Sequence, residues 1–174
     1  MQAAAEPVSL KGTREALLLL ATGAFLAAFP FPIIGMLSGA GLALGAKDLR
    51  ALPAGRVARD WLTLTMLAGW FTCVLNLLCL LGEAGAMLYM LSSAGALFCA
   101  ATALSVLARQ TDHVTHGIFL ALVRIPLLAF LPLLLVSYPR TGLLIQVASC
   151  LAFAVLVLEL RAQAVPYGHR RRAS

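Results

Sequence analysis

Acidic residues are scarce in this chain: Glu6, Glu15, Asp48, Asp60, Glu83, Asp112 and Glu159 are the only carboxylate side chains in 174 residues. None falls in the middle of an apolar run. Charged residues of both signs make up 11% of the chain, against roughly 25% in a soluble domain. So little charge leaves too little polar surface to keep a folded chain of this size dissolved. Cysteine is sparse as well. Cys73, Cys79, Cys99 and Cys150 all sit inside apolar runs and form no C-x-x-C pair, so a thiol–disulfide relay has no signature and the four read as small apolar packing residues. No H-E-x-x-H, G-x-S-x-G, P-loop or paired catalytic carboxylates occur. The sequence therefore predicts no enzyme and implies no cofactor. Proton-coupled transport usually needs acids or histidines inside the spans, and the central parts of the apolar runs contain neither.

What the chain has in abundance is apolar surface. Hydrophobic residues are 61% of it and the mean hydropathy is +0.95. Five apolar stretches stand out: Ala16–Ala46, Trp61–Leu81, Ala84–Ala108, Gly117–Tyr138 and Thr141–Leu160. The last four are close to the ~20 residues that a helix needs to cross the hydrocarbon core. Their connections, such as Gly82-Glu83 and Pro139-Arg140, are short enough to make successive helices antiparallel neighbours. Lys11 and Arg14 precede the first stretch as they would in a secretion signal, but more apolar segments follow, so the first segment is expected to be retained.

That first stretch is longer than one span requires. Its 31 uncharged residues would form a helix of about 46 Å, beyond a ~30 Å core, and Phe29-Pro30-Phe31-Pro32 lies at its centre. Each proline removes a backbone donor, and Pro32 disfavours helical geometry at Phe31. The segment is either one span kinked at Pro30 and Pro32, or a hairpin of two legs. The hairpin puts Lys11, Arg14, Lys47, Arg50, Arg56, Arg59, Arg109, Arg161 and Arg170–Arg172 on one side with only Arg140 opposite, an arrangement favoured by the positive-inside rule. The charged side and the tail after Arg161 are then cytoplasmic. The net charge of +6 thus reads as topology control and attraction to anionic lipid headgroups; a folded basic face for nucleic acid is not expected.

Several residues are candidates for function. Gly35, Gly39, Gly41 and Gly45 form two G-x-x-x-G spacings, and Ser92, Ala96 and Ala100 repeat small residues every four positions; both patterns permit close helix packing, against a partner, a second copy, or the chain's own spans. Arg124 lies inside the fourth apolar run, where a charge is costly. It is expected either to snorkel toward the headgroups, to pair with Glu159, or to meet lipid or a partner. Asn76, Ser93 and Gln146, with Ser92, are expected at similar depth in the opposite half, as interhelical hydrogen bonds or the lining of a small polar path. Asp112-His113-x-x-His116 has ligand types but too few for a metal centre and reads as a solvated turn.

These observations predict an all-α polytopic membrane bundle of four full spans plus a Pro-broken N-terminal hairpin or kinked span. Residues 1–15 would flank one domain of residues 16–160, followed by a basic, disordered tail of residues 161–174. Alanine-, leucine- and arginine-rich usage fits a bacterial cytoplasmic membrane. The function expected is a non-enzymatic accessory or scaffold subunit, acting by helix packing through the Gly35–Gly45 region and by lipid contacts, with a membrane protein partner or a second copy. A small transporter or channel using Arg124 and the polar layer is the alternative, supported by the proline break.

Overall fold

In the computed structural model the described residues, 13–29, 31–82, 86–111, 113–135 and 139–163, contain six α-helices and no strand. They are α1 (Arg14–Leu26), α2 (Pro32–Arg50), α3 (Arg56–Leu80), α4 (Ala86–Gln110), α5 (Val114–Leu135) and α6 (Pro139–Gln163). Three of them, α3, α4 and α6, are long and apolar enough to cross a membrane. Each helix packs on its neighbours in sequence, and α1 returns against α6, so the helices form a closed ring. α4 also touches α2 and α6. It is the most enclosed of the three long helices, with 61% of its apolar window buried against 28% for α3 and 39% for α6.

The first apolar stretch is a hairpin. Phe31 is extended and Pro32 occupies the first turn of α2, where its missing N–H and fixed φ suit a helix start. Pro30, the other residue expected to break the helix, lies outside the described residues. α1 and α2 run antiparallel: Gly23 faces Gly41 and Leu42, and Gly45 faces Ala16 and Leu20. On the other side of α2, Gly35 lies on Asn76, and the thiol of Cys73 donates to the Met36 carbonyl at 3.1 Å. This register brings Pro32 level with the last turn of α3, so the start of α2 sits at the far end of the bundle and not halfway down. α3 itself stops at Gly82, whose φ of +78° is the left-handed geometry that glycine supplies just past a helix end.

The helices run further than the apolar stretches. α2 continues through Lys47 to Arg50 and α3 begins at Arg56, which leaves five residues, 51–55, between the two helices. Pro139-Arg140, expected as a connection, form the first turn of α6. His116, expected in a solvated turn, belongs to the first turn of α5. Glu83, Asp112, Tyr138 and the basic tail His169–Arg172 lie outside the described residues. α2, α4 and α6 each end with Lys or Arg in the last turn, at Lys47 and Arg50, Arg109, and Arg161, where cations complement the helix dipole. Those three ends lie at one face with the starts of α1, α3 and α5. Two interhelical bonds tie this face together: Arg161 Nε donates to the Arg14 carbonyl at 3.0 Å, and the Gly55 amide donates to Gln110 Oε1 at 3.3 Å.

Residue size is distributed inside out. The core is dominated by alanine and leucine, with Ala43, Ala46, Ala96, Ala101 and Ala103 at 0% exposure. Leu67, Trp70, Phe71, Val74 and Leu77 form an exposed stripe on α3. A contiguous apolar surface of this kind is rare on a soluble monomer and compatible with membrane insertion.

Glycine permits close backbone approach between α2 and α3. A Cβ on Gly39 would stand 2.5 Å from the Gly69 carbonyl oxygen, and one on Gly69 2.7 Å from the Gly39 oxygen. Neither backbone can yield. Gly39→Ala is expected to force α2 from α3 at a cost of about 1–3 kcal/mol, the usual range for overpacking, whereas Gly95→Ala, where nothing lies within 4 Å, should be harmless. Thermal unfolding of the two variants in detergent would show the contrast.

Candidate functional site

The glycine face is occupied by the chain itself. Gly35 and Gly39 turn to α3, Gly41 and Gly45 to α1. Ser38, between them, donates its hydroxyl to the Gly23 carbonyl at 2.7 Å. The two G-x-x-x-G spacings therefore pack two different neighbours. Their counterparts, Gly23 and Gly69, were not singled out in sequence: each is an isolated glycine in an apolar run, and only the antiparallel register reveals its partner. Ala96 is fully buried in the core, while Ser92 is half-buried.

The polar layer is brought together in part. Gln146 of α6 donates from Nε2 to Ser93 Oγ of α4 at 2.9 Å, and Ser93 in turn donates to the Met90 carbonyl at 3.0 Å. Asn76 instead donates along its own helix to the Thr72 carbonyl at 2.8 Å. Its Oδ1 and the Oε1 of Gln146 are buried with no hydrogen-bond partner among the described residues. Asn76 Oδ1 points at the Gly35 backbone, so a Cβ on Gly35 would overlap the amide. Most other buried hydroxyls also close locally. Thr65, Thr72, Thr102 and Ser149 donate to carbonyls four residues earlier in their own helices. Such bonds satisfy a hydroxyl in an apolar setting without recruiting a neighbouring helix.

Arg124 sits half-buried on α5. Its Nε donates to the Ala121 carbonyl at 3.2 Å, one turn back toward the charged face. The expected pairing with Glu159 is not formed. Glu159 lies 3.6 Å from His116 Nε2, and the same histidine nitrogen is 3.4 Å from Gln163 Nε2. The reason is register. Because α6 starts at Pro139, the two helices turn back about one helical turn earlier than a connection at Pro139-Arg140 would give. His116, and not Arg124, then stands level with Glu159; the eight residues between His116 and Arg124 span about 12 Å.

His113 packs edge-on against His116 with ring centroids 6.1 Å apart, but no group of three or more metal-ligating side chains assembles among the described residues. On the outer side of α5 and α6 an open groove of about 570 Å³ runs past Phe119, Val123, Pro126, Leu151 and Val155. Its lining is apolar, so it offers no polar group to orient a solute. Set against known protein families, curated proteins and solved structures, the chain matches none of them.

The Gly35–Asn76 contact makes a paired prediction. Gly35→Ala alone should destabilise the bundle, and adding Asn76→Ala should recover most of the loss by removing the overlapped amide. A double-mutant cycle of thermal stability in detergent measures the coupling; strictly additive effects would contradict the contact.

Proposed function

We propose that the chain is an integral membrane protein and a non-catalytic accessory or scaffold subunit. In this reading all six helices pass between two faces, the charged face is cytoplasmic, and the setting is a bacterial cytoplasmic membrane. Charge placement supports the orientation: Arg14, Lys47, Arg50, Arg56, Arg59, Arg109 and Arg161 gather at one face, with Arg140 at the other, as the positive-inside rule favours. The two apolar legs of the hairpin fit the same scheme, since the start of α2 is level with the end of α3.

One observation carries the functional reading. The small-residue face of α2 is filled by α1 and α3, and most buried hydroxyls bond within their own helices. What the bundle presents outward is an apolar belt and a basic face. These are surfaces for lipid and for a membrane partner or a second copy of this chain. Association accordingly uses the outer helix faces and the charged end, and not Gly35–Gly45. Mass spectrometry of what co-purifies in lipid nanodiscs tests the proposal. A stoichiometric protein partner or a defined oligomer is the expected result; a lone monomer would count against it.

A transport reading draws on a different observation, the two buried amide oxygens without partners at Asn76 and Gln146, which are acceptors available to a solute or to water. Solute flux in proteoliposomes that disappears in Gln146→Leu would favour that reading over the first. Orientation has its own test. A membrane-impermeant maleimide applied to intact cells should label Leu81→Cys, at the far end, and spare Ala51→Cys, at the charged face; the reverse pattern would invert the topology.

A further inference from the structure

We propose that Arg109 and Arg124 bracket the phosphate of an anionic phospholipid at the seam between α4 and α5. The inference rests on the membrane reading above. Arg124 lies ten residues into α5, about 15 Å along the helix axis. Helical side chains lean toward the N-terminus of their own helix. In α5 that direction is outward, toward the charged face, and the Nε bond to the Ala121 carbonyl holds the side chain along it. Arg109 belongs to the last turn of α4, which runs the other way, so the same lean carries its side chain inward. Its stem lies across α5 at Gly117, where a Cβ would stand 2.9 Å from Arg109 Cγ and 3.0 Å from the Ser105 carbonyl oxygen. Gly117 and Arg124 are seven residues apart, two turns, and so share a face of α5. The two guanidinium groups approach one stretch of the seam from opposite directions.

Neither arginine has a carboxylate within ion-pair distance among the described residues. Glu159, one of the alternatives expected for Arg124, is turned to His116. Two cations with no carboxylate partner among the described residues, at the edge of an apolar medium, call for an anion. A guanidinium matches a phosphodiester with parallel N–H donors, and basic clefts between helices on the cytoplasmic side are suited to acidic headgroups. Arg124 then works as a snorkelling cation with a defined ligand.

Native mass spectrometry of the full chain, offered phosphatidylglycerol and phosphatidylcholine in equal amounts, tests the site. The wild type should retain one phosphatidylglycerol in preference to phosphatidylcholine. Arg109→Gln and Arg124→Gln should each weaken retention about fivefold, the equivalent of one favourable charge near an anionic surface. Arg56→Gln, an exposed change at the same face, should leave it unaltered. Equal retention of both lipids overturns the proposal, as does a loss in Arg56→Gln as large as in Arg124→Gln. If Arg124→Gln does not fold, unaltered retention in Arg109→Gln is sufficient to overturn it. Displacement of the lipid by excess inorganic phosphate would make this a free-phosphate site and would also overturn it. An alkaline carbonate wash separates the two levels of inference: a chain that stays in the membrane pellet without lipid preference loses only this site, whereas a chain released to the supernatant loses the membrane reading itself.

Discussion

The bundle depends on how closely α2 can approach the helices on either side of it. At Gly23 and Gly41, and again at Gly39 and Gly69, backbone meets backbone with no side chain between. In an apolar solvent there is little hydrophobic gain from bringing two apolar helices together. Association rests on dispersion contacts and on the few polar bonds that cross. Dispersion weakens steeply with a gap of even an ångström, so the glycine crossings determine whether α1 and α3 are held at all. The Ser38 bond to the Gly23 carbonyl fixes the register of one crossing, and the Cys73 contact with the Met36 carbonyl supports the other. With α2 clamped, the short α1 becomes a wall of the ring.

The sequence made the large features legible for a simple reason: long runs without charge admit few structures. Among the described residues every apolar stretch carries helix, and the Phe-Pro-Phe-Pro break marked the division between two antiparallel legs because a proline at Pro32 is well suited to starting a helix and poorly suited to continuing one. Helix ends were less legible. Lys47–Arg50, Arg56–Asp60, His116 and Arg161–Gln163 are polar and helical together, so hydropathy stopped short of where backbone hydrogen bonding stops. That shortfall displaced the Arg124–Glu159 pairing, since a shift of one turn in a connection changes every partner along the two helices that it joins.

The polar interior shows the same division between local and long-range information. Hydroxyls that bond to their own helix need no tertiary structure to be understood, and the Thr and Ser residues of α3, α4 and α6 mostly behave so. Gln146 and Ser93 meet only because α6 and α4 run parallel in the ring, which no sequence spacing encodes. Asn76 looked like a member of the same layer, but its Nδ2 bonds to Thr72 of its own helix and its Oδ1 lies against Gly35. Gly23 and Gly69, which meet backbone of α2 at close range, carried no pattern beyond being glycine in the middle of apolar runs.

The closure of the ring by α1 against α6 joins helices from opposite ends of the chain, and the Arg161–Arg14 bond seals that seam at the charged face. A ribosome adding about 5–20 residues per second finishes α6 some ten seconds or so after α1 has emerged. Throughout that interval the first helix has only α2 to lean on, and one flank stands open to whatever surrounds it. The glycine clasp within the hairpin is therefore what keeps α1 in shape until α6 arrives. The ring is a structure whose oldest wall is completed by its youngest.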